Sequence, residues 1–325
     1  MQNNIKDGIQ ISMICELIGS SFQNDELDVK YNKKINTFTP YIFEYIAYGG
    51  FSNYNTSRMK MSKYTLLAYH LNTVILNSKE NELIDNIIAK QKYLNSDTTF
   101  RDAPGFLSLS DSVTVCMICS LIGIKFYNDP KKIEKYCLLV SQISQKEDAI
   151  SDLGGLTSAF ITASFMKKVN LDKIPGLLLE YLSTLKLKMN STLIYKKNVK
   201  VFIDTWNKYY ENRFRNNKPV RNEANLISHI MSIPFKRTNF YVKNFCDGNY
   251  PGLSSLDLSI IAYDCLLDAE SNFERFIYYC CLHNGNRAST GMLGGLWYGL
   301  VFGKEKVPKY LIEHMEKLVP LYSVV

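Results

Sequence analysis

Apolar residues recur at helical spacing along most of the chain. They fall near i, i+3, i+4 and i+7, which is the period of a helix with one buried face. The alternation typical of strands is rare. Turn-forming pairs such as Asp129-Pro130 and Pro251-Gly252 separate the periodic segments. The pattern predicts helices over residues 64–77, 82–93, 112–126, 131–145, 153–169, 173–186, 198–212, 221–233, 256–269, 272–282, 289–302 and 308–317. We therefore predict an all-α fold in which residues 1–325 form a single compact multi-helix domain.

Two stretches interrupt the helical pattern. Residues 31–61 are rich in Tyr, Phe, Asn and Gly, and residues 94–111 carry turn-forming residues between two predicted helices. Both are interpreted as long loops, which in compact helical domains are often functional. Their aromatic rings could stack on a base or sugar, or simply pack in the core.

A stripe of glycines marks the last part of the chain. Gly291, Gly295, Gly299 and Gly303 are spaced four apart and so share one face of a predicted helix. Each interior helical glycine costs up to about 1 kcal/mol relative to alanine, so four of them need a packing reason. We predict that another helix or the core presses closely against this face.

Composition narrows the class of protein. The chain has 325 residues, of which 46% are hydrophobic, which is enough for a large core. The N-terminus lacks the pattern of a secretory signal, and no apolar run approaches the roughly 18 residues that span a bilayer. We expect a soluble cytoplasmic protein without a membrane partner.

Cysteine usage and charge add little chemistry. The eight cysteines are scattered through apolar stretches, which indicates buried thiols and no disulfide framework. Cys116 and Cys119 form a CxxC, but no second pair follows at zinc-ligand spacing. The net charge of +7 weakly favours an anionic partner. Basic runs at 186–200 and 213–221 are interpreted as solvated helix surface, and no nucleic-acid-binding module is recognisable.

The glycine stripe lies within HNGNRASTGMLGGLWYGLVFG, residues 283–303. This run resembles the C-terminal signature of the ADP-ribosylglycohydrolases, HGGDxDSTxxIAGxxYG, in which two aspartates and a following Ser or Thr bind magnesium. The family's aspartates are replaced by Asn286 and Ala288, with Arg287 between them. The frame that survives consists of His283, Gly285, Ser289, Thr290, Gly295, Tyr298 and Gly299.

Other segments resemble the same family in the same order, in its ADP-ribosyl-arginine hydrolase branch. The segment at 258–285, with its Ala262-Tyr263-Asp264 step, resembles the stretch before the signature. Residues 150–166 resemble the central TGYLGSL helix start, and Arg101 with Ala103-Pro104-Gly105 resembles the RAPG loop. These matches cover most of residues 10–318, and they imply the helical fold of the ADP-ribosylglycohydrolase type.

The resemblance also marks positions where the family's chemistry has been replaced. The SDDT or TDDT metal motif corresponds to Ser62-Lys63-Tyr64-Thr65, which lacks both carboxylates. The early GDALG step corresponds to residues 15–19, the glycine-rich loop to 110–117, and the histidine-rich stretch to 145–148. Larger side chains stand where glycines let a backbone approach a phosphate or ribose, so the nucleotide cleft is expected to be narrower.

These correspondences define the candidate site. The degenerate metal positions are Ser62, Lys63, Tyr64, Asn286, Ala288 and Ser289. The residues proposed to line the cleft are Glu16, Ser110, Ser112, Gly154, Gly155, His283 and Arg287. No residue is assigned as catalytic, because neither His283 nor His70 is spaced to activate a Ser or Cys nucleophile.

The family's two magnesium ions are not expected here. Magnesium prefers hard oxygens that include carboxylates, and two ions close together need several negative charges. One unit charge at about 4 Å is worth about 4 kcal/mol at an effective dielectric near 20, so the change of sign should exclude the metal pair. The ammonium of Lys63 or the guanidinium of Arg287 either stands where a metal would bind or points to solvent.

Three functions remain open from the sequence. The first is a pseudoenzyme that binds ADP-ribose, another anionic nucleotide or a protein. The second is an active ADP-ribosyl hydrolase with an altered or metal-free site. The third is a structural or scaffold protein without a ligand.

Overall fold

The computed structural model describes residues 2–22, 40–59, 63–96, 112–144, 148–185, 192–220, 231–246, 248 and 250–322. The helices are α1 (Gln2–Ser21), α2 (Pro40–Ala47), α3 (Gly50–Asn53), α4 (Lys63–Asn77), α5 (Leu83–Ser96), α6 (Ser112–Lys125), α7 (Pro130–Ser144), α8 (Ala149–Met166), α9 (Ile174–Thr184), α10 (Leu193–Arg213), α11 (Pro234–Asn244), α12 (Ser255–Ala269), α13 (Phe273–Phe276), α14 (Arg287–Phe302) and α15 (Lys309–Tyr322). Short 3-10 turns cover Thr56–Arg58, Glu80–Glu82 and Leu171–Lys173, and a π-helical turn covers Ile277–Cys281. The prediction of an all-α protein is confirmed.

Short polar side chains start several of these helices. Asp148 accepts hydrogen bonds from the amides of Ile150 and Ser151 and so caps α8. Ser254 and Asp257 form a reciprocal capping box at α12. The strands Phe214–Arg215 and Lys218–Pro219 pair with each other and turn at Asn216 and Asn217, whose positive φ angles suit a tight hairpin.

The predicted loop over 31–61 is wrong where the structure describes it. Residues 40–59 contain α2, α3 and a 3-10 turn instead of an irregular loop. In α2, Tyr41 and Tyr45 are buried while Phe43 and Ile46 are exposed, so apolar residues occur all round the helix and hide its period. Of the second predicted loop, residues 97–111 lie outside the described residues.

Gly291, Gly295 and Gly299 of the glycine stripe pack against α1, which confirms the predicted close approach for these three, whereas Gly303 lies beyond the end of α14 and faces Glu305. The two helices run antiparallel, with Gly19 beside Arg287, Cys15 beside Gly291 and Gly8 beside Gly299. A Cβ on Gly299 would lie 2.5 Å from the Cα of Gly8, and one on Gly19 would lie 2.5 Å from the carbonyl oxygen of Arg287. Only glycine permits this backbone-to-backbone approach.

An ion cluster lies buried between α10, α11 and α12. Arg213 and Arg237 both bind Asp264 and Asp268, with Arg213 Nε 2.6 Å from Asp264 Oδ1 and Arg237 Nη1 2.8 Å from Asp268 Oδ2. Arg213 was expected on a solvated helix surface, and this is wrong because its side chain is fully buried. Burial is tolerated because two carboxylates balance two guanidinium groups.

The structure describes all eight cysteines. Seven of the eight cysteines are buried and Cys246 is partly buried, and all eight are free thiols. This confirms the expectation of buried thiols.

Among the residues that the structure describes, no helix combines the length and the apolar character needed to cross a bilayer.

Candidate functional site

The candidate site is built around the start of α14. Asn286 caps the helix, because its side-chain oxygen accepts a hydrogen bond from the amide of Ser289 at 3.3 Å. Ala288 and Ser289 follow in the first turn and are buried, with 5% and 3% of their surface exposed. The side-chain oxygen of Asn286 therefore acts as a helix cap, and Ala288 offers no ligand atom.

Arg287 is fully buried beside these residues. Its guanidinium donates to the carbonyl oxygens of His283 at 3.1 Å and Phe22 at 2.9 Å. It also lies over the ring of Tyr41, with 3.8 Å between Cζ and the ring centroid, which is a close cation–π contact. Of the two alternatives for this side chain, pointing to solvent is excluded. The guanidinium instead joins the end of α1, the start of α2 and the turn before α14.

His283 is held in the same core. Its Nε2 lies 2.7 Å from the hydroxyl of Thr290, and Thr290 in turn donates to the carbonyl oxygen of Cys280 at 2.9 Å. Burial, with a smaller contribution from the nearby Arg287, lowers the pKa of His283 to about 3. The imidazole is therefore neutral at physiological pH and connects α14 to the π-helical turn.

Residues 250–254 form a loop that closes against the start of α14. The carbonyl oxygen of Pro251 accepts a hydrogen bond from the amide of Asn286 at 2.8 Å, and Gly252 packs against Thr290. Asp257 fixes the loop by accepting from the amide of Gly252 at 3.0 Å. Burial raises the pKa of Asp257 to about 6, although the backbone hydrogen bonds oppose the shift. Asp257 was not among the site residues predicted from the sequence. Its only signal there was the spacing Ser254-x-x-Asp257, which is typical of a capping box.

Glu16 lies on α1, one turn before Gly19, and is fully buried. Since Gly19 touches the backbone of Arg287, the α1–α14 contact brings the end of α1 that carries Glu16 to the start of α14. These two helices thus bring together two regions that the resemblance assigns to one site.

The other predicted site residues lie inside α8, at the starts of α4 and α6, or outside the described residues. Gly154 and Gly155 lie inside α8, where added Cβ atoms would meet Ser255 and Cys119. Their lack of a side chain therefore serves the packing of α8 against α12 and α6. Lys63 and Tyr64 form the start of α4, and Ser112 starts α6. Ser62 and Ser110 lie outside the described residues.

Comparison with known proteins finds relatives at low identity. No family model matches the chain. A protein of Acanthamoeba polyphaga mimivirus, named as an ADP-ribosyl glycohydrolase, is 28% identical over 197 residues. That match covers 57% of this chain and 37% of the viral protein, so the chain spans little more than a third of that relative's length.

The second relative is similar over more of its length. ADP-ribosylhydrolase ARH1 of Dictyostelium discoideum is 24% identical over 327 residues, covering 85% of this chain and 82% of that protein. Together with the all-α fold, these similarities confirm the relationship indicated by the motifs: the chain is a distant relative of the ADP-ribosylglycohydrolases.

Proposed function

We propose that this ADP-ribosylhydrolase-like protein is a pseudoenzyme that binds an anionic nucleotide of the ADP-ribose class, or a protein, without magnesium. The observation that carries the proposal is the position of Arg287. In the sequence it stands between the two positions where the family signature places aspartates, and its buried guanidinium is held by two carbonyl oxygens and an aromatic ring. The carboxylates that a divalent ion requires are absent from these two positions, which hold Asn286 and Ala288.

The neighbouring residues do not fit a magnesium pair either. Asn286 uses its side-chain oxygen to cap α14, and Ala288 carries no donor atom. Ser289 supplies a neutral hydroxyl, whereas two divalent ions in one site need several negative charges to offset their repulsion. Magnesium-dependent hydrolysis at this site is therefore not part of the proposed function.

His283 and Thr290, described above at the start of α14, are poor candidates for an alternative catalyst. His283 has its pKa lowered to about 3, so it is a poor proton carrier near neutral pH. It contacts Thr290, whose hydroxyl also contacts the carbonyl of Cys280 and lies in the helical core. A binding function is consistent with these features, and the net charge of +7 weakly favours an anionic partner.

Calorimetric titration with ADP-ribose tests the proposal. We expect binding with the same affinity in magnesium and in a chelator. Arg287→Gln should weaken that binding, whereas Arg215→Gln, which removes an exposed arginine, should not. Circular dichroism would verify that both variants are folded. Tight binding that requires magnesium would contradict the proposal and favour an active hydrolase with an altered site. Absence of binding in both conditions would eliminate the nucleotide and leave a protein partner or a scaffold.

A further inference from the structure

The first turns of α10 expose aliphatic side chains. Leu193 and Ile194 are 85% and 73% exposed, more than any other large hydrophobic side chain in the part of the chain that the structure describes. Val201, two turns further along the same helix, is 40% exposed. Isolated exposed hydrophobic side chains are common on proteins, whereas a group of three on one helix indicates contact with another molecule.

Hydrogen bonds fix the first turn of α10. Thr192 caps the helix by accepting from the amide of Tyr195 at 3.2 Å. The buried hydroxyl of Tyr195 donates to Asp152 Oδ2 on α8 at 2.7 Å. Phe202 and Trp206 are fully buried on the same side of the helix as Tyr195. The opposite side, which carries the exposed aliphatic residues, is therefore held outwards by an ordered helix.

Lysines surround these aliphatic side chains. Lys196, Lys197 and Lys200 are exposed, and none of them makes an ion pair within the described ranges. Residues 181–203 contain no acidic residue, so the charge around the start of α10 is uniformly positive. Exposed aliphatic and basic side chains on one helical surface are typical of segments that bind at the interface of an anionic bilayer.

The shape of this surface favours a bilayer over a folded protein. Side chains as exposed as Leu193 and Ile194 project into solvent and do not line a groove. A protein partner would have to offer a matching pocket for each of them. The headgroup region of a bilayer accepts projecting apolar side chains without such a pocket, and lysine stems can extend along it to the lipid phosphates.

We propose that the start of α10 docks on the surface of a membrane that contains anionic lipids. Leu193 and Ile194 enter the headgroup region, while Lys196, Lys197 and Lys200 contact the anionic headgroups. Docking of this kind needs no helix that crosses the bilayer. It goes beyond the sequence, from which no membrane partner was expected, and it does not depend on nucleotide binding at α14.

Sedimentation with lipid vesicles tests this proposal on the full chain. We expect binding to vesicles of equimolar phosphatidylcholine and phosphatidylserine, and none to vesicles of phosphatidylcholine alone. Added salt should weaken the binding because it screens the charges. Equal binding to both kinds of vesicle, or no binding to the anionic ones, would overturn the proposal. Retention on immobilised polyglutamate without vesicle binding would overturn it in favour of an acidic protein partner.

A first pair of variants tests the charges. Lys197→Gln combined with Lys200→Gln should weaken binding to the anionic vesicles about twentyfold, since each lysine near an anionic surface contributes about a fivefold factor. Lys306→Gln combined with Lys309→Gln removes the same charge from exposed positions at and before the start of α15 and should bind nearly as the native chain does. Equal losses in the two double variants would contradict docking through α10.

A second pair tests the aliphatic side chains. Leu193→Ser combined with Ile194→Ser should weaken vesicle binding at least about tenfold, because less apolar surface leaves the water. Ile46→Ser, which changes an aliphatic residue that is 54% exposed on α2, is the control and should not weaken it. These side chains are exposed, so the variants should fold, and circular dichroism would verify this. Unchanged binding of the folded Leu193→Ser, Ile194→Ser protein would overturn the proposed insertion.

Discussion

Two regions of this protein bury arginines in different ways. Between α10 and α12, Arg213 and Arg237 share two carboxylates, Asp264 and Asp268, in a cluster whose charges cancel. At the start of α14, Arg287 donates to two backbone carbonyl oxygens and lies over an aromatic ring. The first cluster contains the Asp of the Ala262-Tyr263-Asp264 step that resembles the family, whereas Arg287 stands where the family signature has changed.

The difference separates two kinds of buried arginine site. In the balanced cluster the carboxylates are needed because the guanidinium groups are buried, so removing one leaves an uncompensated charge. Around Arg287 the contacts described above are with two backbone carbonyl oxygens and a ring, which belong to three segments of the chain. The predictions below test this contrast.

The largest effect is expected from Asp264→Asn. It leaves Arg213 and Arg237 buried with one carboxylate between them, and breaking a buried ion pair in this way costs about 3 to 5 kcal/mol. The free energy of unfolding from urea titrations measures it. Asp204→Asn, at an exposed position of α10, is the control and should change stability by less than about 0.5 kcal/mol. Similar values for both would refute the structural role of the cluster.

A smaller loss is expected from Arg287→Met. Methionine removes the guanidinium, so the carbonyl groups of His283 and Phe22 lose a donor, at a cost of about 2 kcal/mol. The same urea titration checks this value, with Arg215→Met as the exposed control. A loss as large as that of Asp264→Asn would show that the two arginine sites do not differ in the way described.

The α1–α14 contact should tolerate no added methyl group. In Gly299→Ala the new Cβ would meet backbone atoms of Asp7 and Gly8 at 2.5 to 2.8 Å, so the helices must separate, at about 1 to 3 kcal/mol. Gly176→Ala is the matched control, because the nearest atom would be 3.7 Å away. That change should stabilise the protein by about 0.4 to 1 kcal/mol. Thermal unfolding of the two variants would show shifts of opposite sign, and shifts of the same sign would count against the packing.

The last prediction concerns the pH dependence of stability. The pKa of His283 is lowered in the folded protein to about 3, from an ordinary value near 6.5. The unfolded chain therefore binds the extra proton, and stability falls as the pH falls from about 6.5 towards 3. His283→Gln should reduce this slope by up to about 1.4 kcal/mol per pH unit, measured by urea unfolding at several pH values.

The ion cluster acts in a different pH window. The arginines lower the pKa of Asp264 below its ordinary value of 3.8, although burial acts in the opposite direction. Its contribution is therefore present above that value and is lost as the pH falls through the folded pKa. Below about pH 3 His283 is protonated in the folded protein as well. The native and His283→Gln proteins should therefore show the same dependence of stability on pH only in strongly acidic solution. A slope unchanged in the variant between about pH 6 and 4 would show that His283 is charged in the folded state.

How much the sequence could predict differs between elements. The glycine stripe predicted a close approach to α14 but not its partner, because residues 11–19 of α1 are buried on every side and show no helical stripe. The pairing of Arg213 with Asp264 joins residues 51 positions apart, which local patterns do not encode. At the site, the resemblance located Asn286, Arg287 and Ala288. The contacts of Arg287 with Phe22 and Tyr41 arise from tertiary packing and could only be found in the structure.

The central claim is that a magnesium-dependent hydrolase site has become a binding site. A turnover assay with ADP-ribosylated arginine protein as substrate, run with magnesium and with a chelator, tests it most directly. We predict that ADP-ribose release stays at the rate of the buffer alone in both conditions. Release that is faster than in buffer and depends on magnesium would contradict the account.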